Sequence, residues 1–416
     1  MDEQEGHWII RNARLETSDR LVDLEIRDGV IARIDPSLAS PGYPELDVAG
    51  MLASPLFIDP HHHLDCAYLI EPTNQSGTLE EAIETNACIK ANRLDSEIFE
   101  KACTALGQAL QNGTGWIRNH GDIDSVSGLK LLYPVLKAKE KYRGLVEIQM
   151  VAFPQLGLVA DPESYELLRE AMRSGANVVG GMPHAEASLE DAARHVELIF
   201  QIAEEFDADI DMHVDETDDP NSCTLELVAD ATIRHGYQGR VTASHCCALA
   251  AYPDSYAARV IEKVAAARMN VITNPLVNLY LQGRSDPQPV RRGITRVKEL
   301  LRAGVNVICG SDDINNIFFP FGRMDMLEVA MVTSLAAHLT RPEEIQIAFD
   351  MPRRGAAQAL RLERYGLKAG NPADIVFLAA ENALEALRLQ PVERIVVCNG
   401  RLVSRRRQDV QMHNPA

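Results

Sequence analysis

The chain has 416 residues, of which 46% are hydrophobic, and its formal net charge is −19. This length exceeds that of one simple domain and suits a barrel with a small added module. Because like charges repel, the acidic balance argues against nucleic acid and anionic membrane surfaces as partners. It is compatible with an enzyme that binds a neutral or cationic small molecule.

The eight cysteines show no C-x-x-C spacing, and several stand in apolar runs. This usage is typical of reduced thiols and not of a disulfide framework. Residues 1–5 are acidic and lack the apolar segment of a secretory signal, and no apolar run is long enough to span a bilayer. We therefore expect a cytoplasmic protein.

Short β-strands are predicted at both ends of the chain, with turns at Asp28-Gly29 and Asn399-Gly400. The six predicted strands cover residues 8–12, 21–27, 30–34, 374–378, 394–398 and 401–403. Two such segments can pair into one module. We predict a small β-sandwich formed by residues 1–55 and 364–416, which flanks a central domain over residues 56–363.

Strands and helices alternate through this central part. Apolar, β-favouring runs predict eight strands, at 56–61, 114–119, 145–153, 177–182, 209–214, 240–245, 270–274 and 305–311. Apolar residues at 3–4 spacing predict helices at 96–111, 164–173, 188–206, 224–235, 255–268 and 295–302. Each helix begins at Ser or Thr, and Gly175, Gly236 and Gly304 follow three of them, as helix caps favour. The pattern predicts an α/β protein with a (β/α)8 TIM-type barrel, whose active site lies at the carboxyl ends of the strands.

Two histidines stand at the end of the first predicted barrel strand, where residues 58–65 read IDPHHHLD. Alternate residues of a strand point to one face, so His61 and His63 can aim both imidazoles at one metal ion. His62 points to the other face and is interpreted as a structural residue. Three histidines in a row also occur in solvated turns, so the interpretation depends on what stands at later strand ends.

Three later strands also end in side chains that bind metals or transfer protons. His213 and Glu216 follow the fifth strand, His245 ends the sixth, and Asp312 with Asp313 ends the eighth. Because the carboxyl ends of barrel strands meet at one face, these groups are expected to converge. Such groups at four strand ends are hard to explain by packing alone.

The converging groups predict a metal-dependent hydrolytic site. Three imidazole nitrogens and one carboxylate are a set that Zn²⁺ or Fe²⁺ accepts, with a position open for water. We predict one divalent ion bound by His61, His63, His213 and Asp312. Glu216 is predicted to carry a proton from the water to the leaving group. His245 can hold the attacking hydroxide or polarise the substrate, and Asp312 can also accept a proton.

These residues resemble the site residues of the amidohydrolase superfamily and, within it, those of the bacterial cytosine deaminases. Between His61 and Phe321 the further matching segments are VAFPQ at 151–155, DE at 215–216, VTASH at 241–245, NPLVN at 274–278, LQGR at 281–284, residues 291–299 and DD at 312–313. The resemblance implies a barrel with a β-sandwich, catalytic roles for Glu216 and His245, hydrolytic deamination of a cytosine-like ring, and a homo-oligomer.

The resemblance also implies substrate contacts. Gln155 would hydrogen-bond the pyrimidine edge, and Phe153, Asp313 and Phe318 would contact the ring. The Gln155 amide offers both a donor and an acceptor, which suits a ring edge with a carbonyl beside an N–H.

The fourth predicted strand bears on the number of metal ions. Two-metal amidohydrolases resemble one another in carrying a bridging carboxylated lysine there, whereas residues 177–183 read NVVGGMP. One metal ion is therefore expected, which suits deamination of an aromatic ring more than opening of a hydantoin or dihydroorotate ring.

The sequence departs from the cytosine deaminases at the predicted mouth of the site. It has Ser311 where that family has histidine and Phe318 where it has tryptophan, and triazine-ring amidohydrolases are similar in carrying Ser-Asp at this strand end. The substrate therefore stays open among cytosine, isocytosine, isoguanine, creatinine and an aminotriazine such as an N-substituted ammelide. A catalytically silent relative that binds a metabolite is a further alternative, which the intact ligand set and Glu216 disfavour.

Two other histidines, His184 and His120, stand where a role in the site is conceivable from the sequence. His184-Ala185-Glu186 mimics the H-x-E motif of other zinc deaminases, but no P-C-x-x-C follows, so a loop is predicted. His120 ends the second barrel strand, where a role in lining the pocket and a structural role are both open.

Overall fold

The structure of the protein is a computed structural model that describes residues 6–39 and 42–411. The acidic residues 1–5, where the absence of a signal segment is predicted, lie outside the described residues. The strands are β1 His7–Ala13, β2 Val22–Arg27, β3 Val30–Asp35, β4 Glu45–Asp47, β5 Leu52–Pro55, β6 Phe57–His62, β7 Thr114–Asp122, β8 Glu147–Phe153, β9 Val178–Gly181, β10 Asp209–Val214, β11 Val241–His245, β12 Asn270–Thr273, β13 Asn306–Cys309, β14 Ile375–Leu378, β15 Arg394–Cys398 and β16 Arg401–Arg406. The α-helices are α1 Leu79–Ile89, α2 Asp95–Gln111, α3 Leu132–Lys141, α4 Ser164–Ser174, α5 Leu189–Phe206, α6 Thr224–Arg234, α7 Asp254–Ala266, α8 Pro275–Leu281, α9 Val297–Arg302, α10 Met326–Ala336, α11 Pro342–Asp350, α12 Ala356–Ala359 and α13 Ala383–Leu389.

Both ends of the chain form one β-sandwich. Its two four-stranded sheets have the orders β3-β2-β1-β4 and β16-β15-β14-β5. Inward-facing residues of both sheets, among them Trp8 and Phe377, form a shared core. Trp8 Nε1 donates a hydrogen bond to the carbonyl oxygen of Gly400 at 2.8 Å, which ties the first strand to the last hairpin. The predicted sandwich and its six strands are confirmed, whereas β4 and β5 are too short for a sequence pattern; the domain boundaries stay a prediction.

The central domain is an eight-stranded parallel barrel in the order β6 to β13. The predicted fold class is confirmed, and each strand lies within three residues of its predicted bounds. The barrel closes through the backbone of a predicted site residue. The Asp312 N–H donates to the carbonyl oxygen of His61 at 2.8 Å, and the His63 N–H donates to that of Asp312 at 2.9 Å. Closure therefore fixes the first and last barrel strands at the place where three predicted metal ligands lie.

The six predicted barrel helices are present as α2, α4, α5, α6, α7 and α9. Their expected Ser or Thr caps are wrong with one exception: only Ser188 stands at an N-cap and accepts from a backbone N–H, that of Asp191. The other five helices begin without a side-chain cap hydrogen bond. The helices α2 and α7 start one residue before the predicted Ser, α4 and α6 start at the predicted Ser or Thr itself, and α9 starts two residues after Thr295. The α10 segment is apolar on nearly all sides and shows no 3–4 periodicity to predict it.

All eight cysteines are free thiols, as the sequence predicts. Across residues 6–39 and 42–411, no helix is both long enough and apolar enough to cross a membrane.

Candidate functional site

The four predicted metal ligands are His61, His63, His213 and Asp312. They form one buried cluster at the carboxyl end of the barrel, the ligand group, in which the ligand atoms lie within 4.8 Å of one another. Nε2 of His63 lies 3.2 Å from Nε2 of His213. Asp312 Oδ1 lies 3.3 Å from Nε2 of His61 and 3.5 Å from Nε2 of His63. Nε2 of His61 is buried and has no hydrogen-bond partner among the described residues. Because ring lone pairs this close repel unless a proton or cation lies between them, the donor set fits a divalent metal ion.

A hydrogen-bond chain sets the tautomer of His61. Its Nδ1 lies 2.9 Å from Oγ of Ser244, and that hydroxyl donates to Asp211 Oδ1 at 3.1 Å. A hydroxyl has one proton, so the Ser244 oxygen accepts the Nδ1–H of His61. The lone pair of His61 is therefore on Nε2, directed at the ligand group. Arg118 Nη1 donates to the other Asp211 oxygen at 2.8 Å and opposes the rise in the pKa of Asp211 that burial causes.

The backbone is left-handed at three strand ends: φ is 49° at Asp215, 68° at His245 and 67° at Asp312. This backbone conformation destabilises the fold by about 1–3 kcal/mol at a non-glycine residue, and it is retained where surrounding contacts enforce it. Asp215 makes such contacts, since its carboxylate accepts from the backbone N–H groups of Thr224 at 3.0 Å and Leu225 at 2.9 Å at the start of α6. This anchor fixes the turn that carries Glu216 into the cavity.

Glu216 and His245 lie beside the ligand group and contact each other. Oε1 of Glu216 is 3.2 Å from Nδ1 of His245. Asn278 on α8 donates from Nδ2 to Glu216 Oε1 at 3.4 Å, and the same nitrogen lies 3.1 Å from His245 Nδ1. Asn274 Nδ2 lies 3.2 Å from the other ring nitrogen, Nε2. The resemblance places Asn274 and Asn278 in a matching segment, but their contacts with the two predicted catalytic residues require the structure.

Burial sets the protonation of this pair. Burial, and then the Asp312 and Asp313 carboxylates, raise the pKa of Glu216 well above its usual value. Burial and the neighbouring imidazoles, His61 first, lower the pKa of His245 well below its usual value. A carboxyl group with a raised pKa therefore lies next to an imidazole with a lowered pKa, which is an arrangement suited to proton transfer.

Ser311, expected at the mouth of the site, lies behind the ligand group instead. Its Oγ is 2.9 Å from Nδ1 of His62, and its N–H donates to Asp59 Oδ1 at 3.0 Å. Asp312 lines the cavity, whereas Ser311 is not among the described residues that line it. Burial raises the pKa of Asp59 to about 7. The position of Ser311 thus corrects the sequence-based expectation, while His62 has the structural contacts predicted for it.

His120 also lies behind the ligand group. Its ring stacks on that of His61 with centroids 3.9 Å apart, and its Nε2 is 3.3 Å from Asp211 Oδ1. His61, His120 and Asp211 are a second set of potential metal ligands on the buried side of His61. Of these two sets, only the first borders the cavity, through His63, His213 and Asp312. A third set, Glu216, His245 and Asp312, overlaps the first at Asp312.

A cavity of about 460 Å³ opens over the ligand group. The four predicted substrate contacts all line it: Phe153, Gln155, Asp313 and Phe318. Burial, followed by the Asp312 carboxylate, raises the pKa of Asp313 to about 7. The other residues that line the cavity are Asp65, Cys66, Leu79, Ile83, Asn86, Asp122, Met182, Val277 and Leu281. Leu79, Ile83 and Asn86 lie on one face of α1, so this helix forms a wall of the cavity.

The fourth barrel strand, β9, offers no lysine toward the ligand group. A Cβ added at Gly180 would lie 2.6 Å from the carbonyl oxygen of Ala152, and one added at Gly181 would lie 2.9 Å from atoms of Met212 and His195. Side chains at these two positions would collide with neighbouring strands.

Glu186, the acidic residue of the H-x-E segment, is a structural anchor. Its carboxylate accepts from the backbone N–H groups of residues 158–160 at 2.7, 3.0 and 2.8 Å, and from Nδ1 of His195 at 2.7 Å. His195 Nε2 in turn accepts from the N–H of Met182 at 3.2 Å. Burial would raise the pKa of Glu186, but these hydrogen bonds, that from His195 first, outweigh it and lower the pKa to about 2.

Glu186→Ala should lower the free energy of unfolding by about 2–4 kcal/mol, because buried N–H groups lose their acceptor. It should also raise KM, since the anchored loop follows Gln155 and Met182 lines the cavity, while metal content stays unchanged. Denaturant unfolding and steady-state kinetics measure these effects. Glu170→Ala, at an exposed position on α4, should change stability by less than about 0.5 kcal/mol; equal stability of the two variants would contradict the anchoring role.

Known proteins share this architecture over most of the chain. A profile of the amidohydrolase family matches residues 45–404. The chain is 34% identical to 5-methylcytosine deaminase from Klebsiella pneumoniae, whose crystal structure with 5-fluorocytosine matches with a TM-score of 0.92 over 97% of this chain and 99% of that one. It is similar to N-isopropylammelide isopropyl amidohydrolase of Pseudomonas sp. (strain ADP), with 31% identity over 404 residues that cover 95% of this chain and 96% of that protein. It is also similar to pterin deaminase of Rhizobium rhizogenes, with 29% identity over 92% of this chain and 88% of that protein.

The family profile and the two matches above 30% identity span the barrel, the ligand group and most of the sandwich. The predicted resemblance and the prediction of a hydrolytic enzyme are therefore confirmed, and the chain belongs to the amidohydrolase family.

Proposed function

We propose that the protein is a metal-dependent deaminase of a cytosine-like aminoheterocycle, in which water replaces the ring amino group and ammonia leaves. The observation that carries this proposal is the contact between Glu216 and His245 beside the four-residue ligand group, at the wall of a cavity of about 460 Å³. The cavity combines apolar side chains with a few convergent polar groups, as sites for small molecules do. Two of the similar proteins are deaminases, of 5-methylcytosine and of pterin.

The ligand group would hold one divalent ion, Zn²⁺ or Fe²⁺, and the absence of a lysine on β9 supports a single ion. Such an ion, when bound, lowers the pKa of water in the site and so supplies a nucleophile near neutral pH.

The protein's own side chains would move the protons. Glu216 takes a proton from the attacking water at a carboxylate oxygen and delivers it to the departing amine, so that the C–N bond breaks as ammonia forms. His245, fixed by the amides of Asn274 and Asn278, orients the water and polarises the ring carbon that it attacks. Asp312, besides binding the ion, would accept the second proton of the water as the ring carbonyl forms. That proton then passes to the ring nitrogen beside the attacked carbon.

The lining of the cavity supports a neutral or cationic ring. Carboxyl groups line it at Asp65, Asp122, Glu216 and Asp313, and among the described residues no lysine or arginine lines it. The protein's own side chains therefore offer an anionic ring no permanent positive charge. Phe153, whose ring stacks on that of His213 at 4.0 Å, and Phe318 offer apolar faces to a planar ring. Gln155 offers hydrogen bonds to the ring edge.

Ammonia release from a panel of rings tests the proposal. The panel contains cytosine, 5-substituted cytosines, isocytosine, isoguanine, creatinine, ammeline-type triazines and adenine. We expect the highest kcat/KM on a ring with a carbonyl beside an N–H, and little activity on adenine, which has no ring carbonyl. Adenine ranking first would contradict the role of Gln155, and no activity on any ring would favour a silent metabolite-binding relative.

The second candidate is hydrolysis of the exocyclic C–N bond of an N-substituted aminotriazine. It is favoured by the 31% identity to the isopropylammelide amidohydrolase and by Ser311-Asp312 at the last strand end. Isopropylamine release from N-isopropylammelide, with no ammonia release from cytosines, would support this candidate over the first. We further propose a homo-oligomer in the cytoplasm, which sedimentation and fractionation would test.

A further inference from the structure

We propose that Asn86 sets the orientation of the Gln155 amide, so that the cavity selects rings that present a carbonyl oxygen, and not an amino group, to Gln155. The proposal rests on the proposed function and adds to it a positioning residue on α1. A line of hydrogen bonds runs along one wall of the cavity. Asn86 Nδ2 donates to Gln155 Oε1 at 3.3 Å and to Asp122 Oδ2 at 3.4 Å.

Lys90 fixes the other end of this line. Its ammonium group donates to the same oxygen, Asp122 Oδ2, at 2.7 Å, and also binds Asp124. An ammonium group is a donor only, so Oδ2 of Asp122 accepts whether or not the other carboxyl oxygen carries a proton. Asn86 and Lys90 are four residues apart on α1 and at its end, so the same helical face brings both to the ends of β7 and β8.

This fixed acceptor decides how both amides are turned. If Asn86 were rotated by 180°, its oxygen would face the Asp122 oxygen, and two acceptors repel. Asn86 therefore directs its nitrogen toward Asp122 and Gln155. Gln155 must then direct its oxygen toward Asn86, because two N–H donors also repel. Among the hydrogen bonds within residues 6–39 and 42–411, Gln155 takes part only through Oε1.

The Gln155 nitrogen is consequently the group left for a ligand in the cavity that Gln155 lines. A ring carbonyl accepts from it, whereas a ring amino group opposes one donor with another and leaves both unpaired. Leaving buried polar groups unpaired is what allows a site to reject an analogue strongly. Gln155 thus acts toward the ligand mainly as a hydrogen-bond donor, whereas the amide alone could act as both donor and acceptor.

Asn86→Asp tests this orientation, since it replaces the donor nitrogen by an oxygen and leaves the size of the side chain unchanged. The Gln155 amide should then turn and present its oxygen to the cavity. The substrate pair is cytosine and 2,4-diaminopyrimidine, with their 5-methyl counterparts, because each pair differs by oxo or amino at C2 and by the ring N–H that accompanies the oxo group. We expect the wild-type protein to favour the oxo ring by more than about 100-fold in kcat/KM. This ratio should fall at least tenfold in Asn86→Asp and less in Asn86→Ala, with metal content unchanged.

The matched control is Glu84→Gln, at an exposed position on the same helix, and it should keep the wild-type ratio. An equal loss on both rings in the Asn86 variants, or an unchanged ratio, would overturn the proposal, because a structural role alone changes both rings alike. Calorimetric binding of the same ring pairs separates this proposal from the proposed function. If no ring releases ammonia but the oxo ring binds more tightly in an Asn86-dependent way, only the proposed function fails; absence of any such preference in binding overturns the role of Asn86.

Discussion

Glu216→Gln should lower turnover by about 10²–10⁴-fold while the protein keeps its fold and its bound metal ion. Glutamine has the same size and can still accept the hydrogen bond that Asn278 donates to Oε1, but it cannot take up and release a proton. Burial and the Asp312 and Asp313 carboxylates raise the pKa of Glu216, a direction that favours uptake of a proton by the wild-type side chain. The measurement is kcat on the best ring of the substrate panel, with elemental analysis of both proteins.

The matched control is Asp219→Asn, an exposed carboxylate three residues further along the same segment. It removes one negative charge near the site without removing a group from the cavity, and should retain near wild-type turnover. Near wild-type turnover of Glu216→Gln would contradict the assignment. Loss of metal from Glu216→Gln would instead indicate that the carboxylate helps to bind the ion, which is also contrary to a role in proton transfer alone.

The metal-ligating side chains could be predicted from the sequence because their spacing is a local property of strands. His61 and His63 are two residues apart in β6, and side chains at that spacing share a face. His213 and Asp312 follow apolar runs, and a parallel barrel brings the ends of such runs to one face. The expectation for Ser311 is wrong because it rests on the comparison with the cytosine deaminases and not on strand geometry. The contacts of Ser311 with His62 and Asp59 on the buried side of the metal ligands are visible only in the structure.

Residues that act through tertiary contacts could not be predicted. Asn86 lies on α1, which is not among the helices predicted from the sequence. Its partners Asp122 and Gln155 are 36 and 69 residues away in the chain. No periodicity links positions so far apart. Glu186 illustrates the converse: its motif suggests zinc chemistry, whereas its contacts with residues 158–160 and His195 are those of a structural anchor.

Whether the ion lies at the cavity or behind His61 can be tested with a matched pair of variants, His63→Asn and His120→Asn. Each removes one buried imidazole and leaves a side chain of similar polarity. If the ion is held by His61, His63, His213 and Asp312, His63→Asn removes a ligand, and its metal affinity should fall by more than the roughly 10–100-fold typical of a change outside the ligand set.

His120→Asn should keep about one equivalent of metal per chain, because its ring only stacks on His61 from behind, at 3.9 Å between centroids. Elemental analysis after dialysis, and activity after chelation and metal addition, measure both effects. Activity should return with Zn²⁺ or Fe²⁺ in the wild-type protein and in His120→Asn, but not in His63→Asn at the same metal concentration. The reverse order of the two variants would place the ion between His120 and Asp211, where it could not reach a ring in the cavity. Two tightly bound ions per wild-type chain would contradict a single-metal site, which the strand β9, with glycines at Gly180 and Gly181 and no lysine, otherwise favours.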